Sequence, residues 1–169
     1  MAFACASGFS QKYTADKAFI SFYSDAPLED ITAENSKVTT IFNASTGDIA
    51  FSVPMKEFKF AKSLMQEHFN EKYVESEKFP KATFQGKIVD FKAGTSGTQQ
   101  VRAQGKLTIH GVTKDIDVPG TIEAQGNKLV MKSKFMVKVA DYDIEIPQLV
   151  FNNIAEQVEV TVDFTYKPM

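Results

Sequence analysis

Residues 158–166 read VEVTVDFTY, and the alternation is unbroken: Val158, Val160, Val162, Phe164 and Tyr166 share one parity, acids and threonines the other. A period of two gathers the apolar set on one face of an extended chain but scatters it around a helix. The segment therefore predicts a strand with one face buried. Residues 128–138, KLVMKSKFMVK, repeat the pattern with Leu129, Met131, Phe135 and Val137. Residues 101–109, VRAQGKLTI, place Val101, Ala103, Gly105, Leu107 and Ile109 together. The small residues at 103 and 105 leave room inside a curved sheet, and Gly105 suits a bend or bulge.

Further strands are expected over 17–24, 30–34, 37–43, 48–55, 82–91 and 115–124. The connections STGD at 45–48, AGTSG at 93–97 and QGN at 125–127 each join Gly to short polar residues, the chemistry of tight turns. Many strands at short spacing with such turns predict an antiparallel sandwich or barrel. One segment breaks the pattern. EFKFAKSLMQEHFNEKYVES, residues 57–76, carries Phe58, Ala61, Leu64, Met65, Phe69 and Tyr73 at helical spacing. It predicts one amphipathic helix over about 57–75, whose apolar stripe is buried if it packs across the open end of a barrel.

The 169 residues suffice for one domain with a substantial core. A net charge of −2 with dispersed lysines argues against a nucleic-acid groove, which needs a concentrated basic patch. No apolar run approaches the roughly 20 residues of a membrane-spanning helix. The opening, MAFACASGFSQKY, is small and apolar up to Ser10, and Ala2-Phe3-Ala4 and Ala4-Cys5-Ala6 fit the small-x-small pattern before a signal-peptidase cut. Residues 1–12 are accordingly expected to be the remnant of a secretory signal or an arm, and 13–169 a single domain, periplasmic or secreted. Cys5, the one cysteine, excludes an internal disulfide and leaves lipidation at that position open.

Catalytic motifs are sparse. Glu67, His68 and Glu71 share a helix face, but a zinc site needs three or four ligands with His and Cys preferred, and the other histidine is distant in sequence. His110 lies in KLTIHGVTK with Thr108 and Thr113 as conceivable nucleophiles and Asp115 as an orienting acid. Parity puts His110 opposite Leu107 and Ile109, facing solvent or a neighbouring strand. A turn at His110-Gly111 explains the break as well, because Gly111 supplies positive φ. No phosphate-binding loop, GxGxxG, GxSxG or HExxH is present. Neither a catalytic residue, a metal nor a cofactor is therefore expected.

What remains is the apolar face. A barrel of about eight strands is the smallest that can hold one small ligand. The 15 Phe fill a solid core or line a cavity; composition does not separate the two. If hollow, the lining expected from parity is Phe51, Val53, Phe84, Ile88, Leu107, Ile109, Phe135, Val137, Val160, Val162 and Phe164. Leu64, Met65 and Phe69 would cap it from the helix. A solid barrel would act through its surface instead, as an interaction or stress-protective protein.

Two stretches resemble the YceI-like family of bacterial lipid-binding barrels. ESEKFPKATFQGKI, residues 75–88, is similar to the family's x-[FY]-P-x-[AI]-T-F segment. GKLTIHGVTKDIDVP, residues 105–119, is similar to its G-x-L-T-[IL]-[HR]-G-V-T-[KR] signature, and ADYDIEIPQLVFNNIAEQVEVTVDF near the C-terminus follows its pattern. The resemblance implies an eight-stranded antiparallel lipocalin-like barrel exported to the periplasm. It implies non-catalytic binding or carriage of a long-chain isoprenoid or other amphiphilic lipid. A quinone-like ligand and a homodimer stay open beside it, and the dispersed charge leaves no nucleic-acid partner expected. Where many members carry an Arg-Asp-x-His-Leu-like stretch, this chain reads KSLMQEHFNE, a more apolar helix.

Overall fold

The computed structural model describes residues 12–25, 30–145 and 157–169. They form a closed eight-stranded antiparallel barrel with one short helical insertion. Residues 1–11 of the expected arm 1–12 lie outside the described residues, as do 26–29 and 146–156.

The first strand, β1 (Lys12–Ser24), pairs along its length with the last, β10 (Gln157–Pro168), and this pairing closes the barrel. On its other edge β1 meets two short strands, β2 (Ile31–Asn35) and β3 (Thr39–Asn43). Ile20 faces Asn35 and Thr14 faces Ile41, so one register runs through the break between them and the two act as one bent barrel strand. The break is pinned by a fully buried side chain: Asn35 Nδ2 donates to Pro54 O at 2.9 Å, and Lys37 N donates to Asn35 Oδ1 at 2.9 Å. The next barrel strand is likewise interrupted, as β4 (Asp48–Pro54) beside β3 and β5 (Lys59–Phe60) beside β2.

The other four strands, β6 (Lys81–Val89), β7 (Thr98–Ile109), β8 (Val112–Gln125) and β9 (Lys128–Lys138), run as a meander to β10. The predicted strands are thus present, with ends shifted by a few residues. A bulge at Ala15/Lys17 in β1 leaves Asp16 and Lys17 both outward and moves the inward parity from Tyr13 and Ala15 to Ala18, Ile20, Phe22 and Ser24. Gly86 and Gly105 face each other across β6 and β7. A Cβ on either would sit 2.2–2.3 Å from the opposing backbone, so the close approach there requires glycine on both strands.

The helix begins later than its spacing predicts. α1 covers only Ser63–His68 and widens into a π-helical turn over Phe69–Tyr73, where Val74 N donates to Phe69 O. Phe58 and Phe60 belong instead to the extended segment around β5, because Ala33 and Glu34 of β2 offer an open edge to pair with. The apolar period of 58–73 reflects a shared roof over the barrel more than one continuous helix. Among the described residues no helix is long and apolar enough to cross a membrane.

Candidate functional site

One end of the barrel is packed solid. Phe42, Ile122, Phe164 and Tyr166 are essentially inaccessible. Phe42 lies 5.7 Å from the Phe91 ring and 5.8 Å from Tyr166, and Phe164 lies 5.9 Å from Tyr166. The polar end of Tyr166 is satisfied. Thr40 Oγ1 donates to Ala50 O at 2.9 Å, which leaves its oxygen to accept from Tyr166 OH at 2.7 Å. Burial pushes the Tyr166 phenol well above its ordinary range, the Thr40 bond offsetting a little of this.

The other end holds a cavity of about 150 Å³. Its walls are the inward faces of β1, β2, β4, β6, β7, β9 and β10, and its roof is built on the insertion after β4. Three rings of the insertion, Phe58, Phe60 and Phe69, make that roof together with Phe22 of β1. Phe22 stacks on Phe69 at 5.5 Å and meets Phe58 edge-on at 5.1 Å, while Phe60 lies 5.0 Å from Phe69. Offset and edge-on aromatic pairs add to the burial of each ring, so the roof is cohesive. Among the described lining residues none is charged, and only Ser24 and Tyr73 carry a hydroxyl. Burial raises the Tyr73 phenol to about 12.

Most of the residues expected from parity face this space: Phe51, Val53, Leu107, Ile109, Phe135, Val137, Val160 and Val162 from the strands, Met65 and Phe69 from the roof. Four do not. Phe84 stacks beneath Phe51 at 5.2 Å and Phe164 meets Phe51 edge-on at 5.5 Å, so both form the layer under the cavity floor. Ile88 is buried in the packed end, beside Gly47. Leu64 is 61% exposed on the outer side of α1 and caps nothing. Sequence reasoning assigned no inward face to the strands at 17–24 and 30–34 and so passed over Phe22, Ser24 and Ile31; it passed over Phe58 as a cavity wall because helical spacing claimed it, and over Phe60 because that residue lies off the helical stripe.

His110 does not face solvent. It adopts φ 54 and Gly111 φ 73, the two positive values of a tight hairpin turn, and this removes His110 from strand parity. Its side chain is 11% exposed. Nδ1 lies 3.0 Å from Tyr142 O and Nε2 lies 2.5 Å from Glu75 Oε2, so both ring nitrogens meet oxygen acceptors. Phe79 packs edge-on against the ring at 4.7 Å, and a Cβ at Gly111 would lie 2.6 Å from Phe79. Segments 75–88 and 105–119 therefore meet in a clasp that ties the end of the roof to the β7–β8 hairpin. The conceivable catalytic partners are engaged elsewhere: Thr108 and Thr113 bond each other at 2.7 Å, and Asp115 accepts from Lys106 at 2.9 Å. Among the described residues no three His, Cys, Asp or Glu converge as metal ligands.

The barrel has relatives of known structure. A polyisoprenoid binding domain from Saccharophagus degradans, implicated in plant cell wall breakdown, superposes with a TM-score of 0.81 at 17% identity, covering 93% of this chain and 98% of that one. BcnA of Burkholderia cenocepacia gives 0.75 at 17% identity, with 88% and 95% covered. The Campylobacter jejuni YCEI protein gives 0.56 at 15% identity, with 76% and 80% covered. No curated protein matches the sequence significantly. The sequence matches the YceI-like domain over residues 13–166, and the chain belongs to that family.

Proposed function

We propose that this barrel binds and carries a long-chain isoprenoid or a related amphiphilic lipid, without catalysis, in the cavity under its aromatic roof. The observation that carries this reading is the uncharged, almost wholly apolar lining of that cavity. Each methylene taken from water contributes about 0.8 kcal/mol, so a hydrocarbon chain needs no polar contact to be held. Ordering the chain and losing its translational freedom offset part of the gain. The solved relative described as a polyisoprenoid binding domain supports the same ligand class. At about 150 Å³ the cavity is smaller than the roughly 300–1,000 Å³ sites that bury drug-sized ligands, so a long chain requires the four roof rings to part. Three of the roof rings sit on an insertion held to the barrel by the two-residue strand β5 and the His110 clasp.

A periplasmic or secreted setting fits this reading, on the strength of the small-residue pattern at residues 2–6. The test is organic extraction of protein purified without detergent, followed by mass spectrometry. A defined isoprenoid or amphiphile in near-stoichiometric amount is expected. An extract no different from that of an unrelated barrel would return the weight to the solid-core alternative, a protein acting through its surface.

A further inference from the structure

Ser24 is the last residue of β1, at the rim of the hollow end. It follows Ile20 and Phe22 on the inward face and lines the cavity with them. It is 2% exposed, and among the described residues its Oγ has no hydrogen-bond partner. A buried hydroxyl left unpaired costs stability, and native proteins satisfy nearly all such groups. Other buried polar side chains of this barrel follow that rule: Asn35 bonds Pro54 O and Lys37 N, and Thr40 bonds Ala50 O and Tyr166. Among the described residues Ser24 Oγ and Asn70 Oδ1 depart from it, and of these two only Ser24 lines the cavity.

We infer that the Ser24 hydroxyl is the recognition contact for the polar end of the ligand, and that this end is a single uncharged oxygen group, an alcohol or a carbonyl. The inference rests on the lipid-binding reading and narrows it. No charged side chain lines the described cavity, so a carboxylate or phosphate drawn inside would be left without a counter-charge in apolar surroundings, at a large cost. A hydroxyl or carbonyl needs only one hydrogen bond, and Ser24 can donate or accept it. The position also sets polarity of entry: the tail lies deep against Phe51 and Val162, and the oxygen stays at the rim.

Three isoprenoids of one carbon skeleton test this: phytol, its hydrocarbon phytane, and phytanic acid, each equilibrated with the full chain from cyclodextrin complexes. The wild type is expected to bind phytol and phytane and to reject phytanic acid. Ser24→Ala should lose about five- to tenfold in phytol affinity, the worth of one hydrogen bond, with phytane unchanged. Ser24→Cys, similar in shape and weaker in hydrogen bonding, should show the same selective loss. Unliganded Ser24→Ala should melt at or above the wild-type temperature, because an unpaired buried group is gone. Equal phytol affinity in all three proteins, or a parallel loss of phytane, would overturn the role of Ser24 while leaving the carrier reading intact. Tighter binding of phytanic acid than of phytol would overturn the uncharged head. Failure of the wild type to bind any of the three would overturn the carrier reading and this inference together.

Discussion

At one end of the barrel Phe42, Phe164, Tyr166 and Ile122 meet with no space between them; at the other Phe22, Phe58, Phe60 and Phe69 arch over a cavity. The same strands supply both ends and the residue types are alike. The difference lies in what closes each end. Short turns such as the one at Gly47 let the strands converge and the inward side chains interdigitate. At the hollow end the chain leaves the sheet after β4 for an insertion whose rings rest on one another, not on the floor below. A hydrophobic interior is solid or hollow according to how its ends are connected, and composition is silent on that.

The sharpest way to probe the contrast is to truncate one aromatic at each end. Phe42→Ala should cost about 3–5 kcal/mol in urea denaturation, since its neighbours are held by closed strands and cannot collapse into the void. Phe135→Ala, which already borders empty space, should cost about 1–2 kcal/mol, having fewer contacts to lose. Equal costs would mean that the two ends are packed alike.

Alkali separates the ends by another route. Both buried phenols, Tyr166 in the packed end and Tyr73 under the roof, have their ionisation raised by burial. A raised folded value contributes stability that is whole below the unfolded tyrosine value, about 10, and is lost as pH climbs through the folded one. For Tyr73 that window runs from about 10 to about 12. Stability measured across it should fall, and Tyr73→Phe and Tyr166→Phe should each flatten the decline. An unchanged profile in both variants would contradict the assigned burial.

The clasp should matter less. His110→Ala removes the bonds to Tyr142 O and Glu75, and a loss of about 1–2 kcal/mol is expected. Hydrogen exchange should quicken in Phe69–Tyr73 more than in β7. A uniform change across the barrel would mean that the clasp holds the whole fold and not the roof. Smallest of all, Leu64→Ser should shift stability by no more than about 0.5 kcal/mol and leave lipid loading unchanged, because Leu64 points outward. A large effect on loading would restore it as a cap.

The strands were legible because their signal is local: alternation over five to ten residues and Gly-bearing turns are written in the segment itself, as in VEVTVDFTY. Parity within β7, β9 and β10 likewise carried over to the cavity walls. What was not legible depends on partners distant in sequence. Which parity of β1 faces inward is set by its pairing with β10 and β2, distant in sequence, so Phe22 and Ser24 went unread. Phe58 lies at helical spacing from Phe69, yet β2 draws the adjacent Lys59 and Phe60 into extended pairing. Phe84, Ile88 and Phe164 face inward as their parity predicts, but depth along the barrel, which parity does not encode, sets them in or beneath the packed layer. His110 escaped its strand parity through a left-handed backbone that a His-Gly pair permits and does not demand.

The central claim is that lipid occupies the hollow end and nothing else in the molecule. The direct measurement is lipid loading of the wild type against Val160→Trp, which fills the cavity, and Leu129→Ala, which loosens the packed end. Both variants carry one substitution on an inward strand face. The expected result is a loading lost in Val160→Trp and retained in Leu129→Ala, despite the lower stability of the latter. Full loading of a folded Val160→Trp variant would contradict the account.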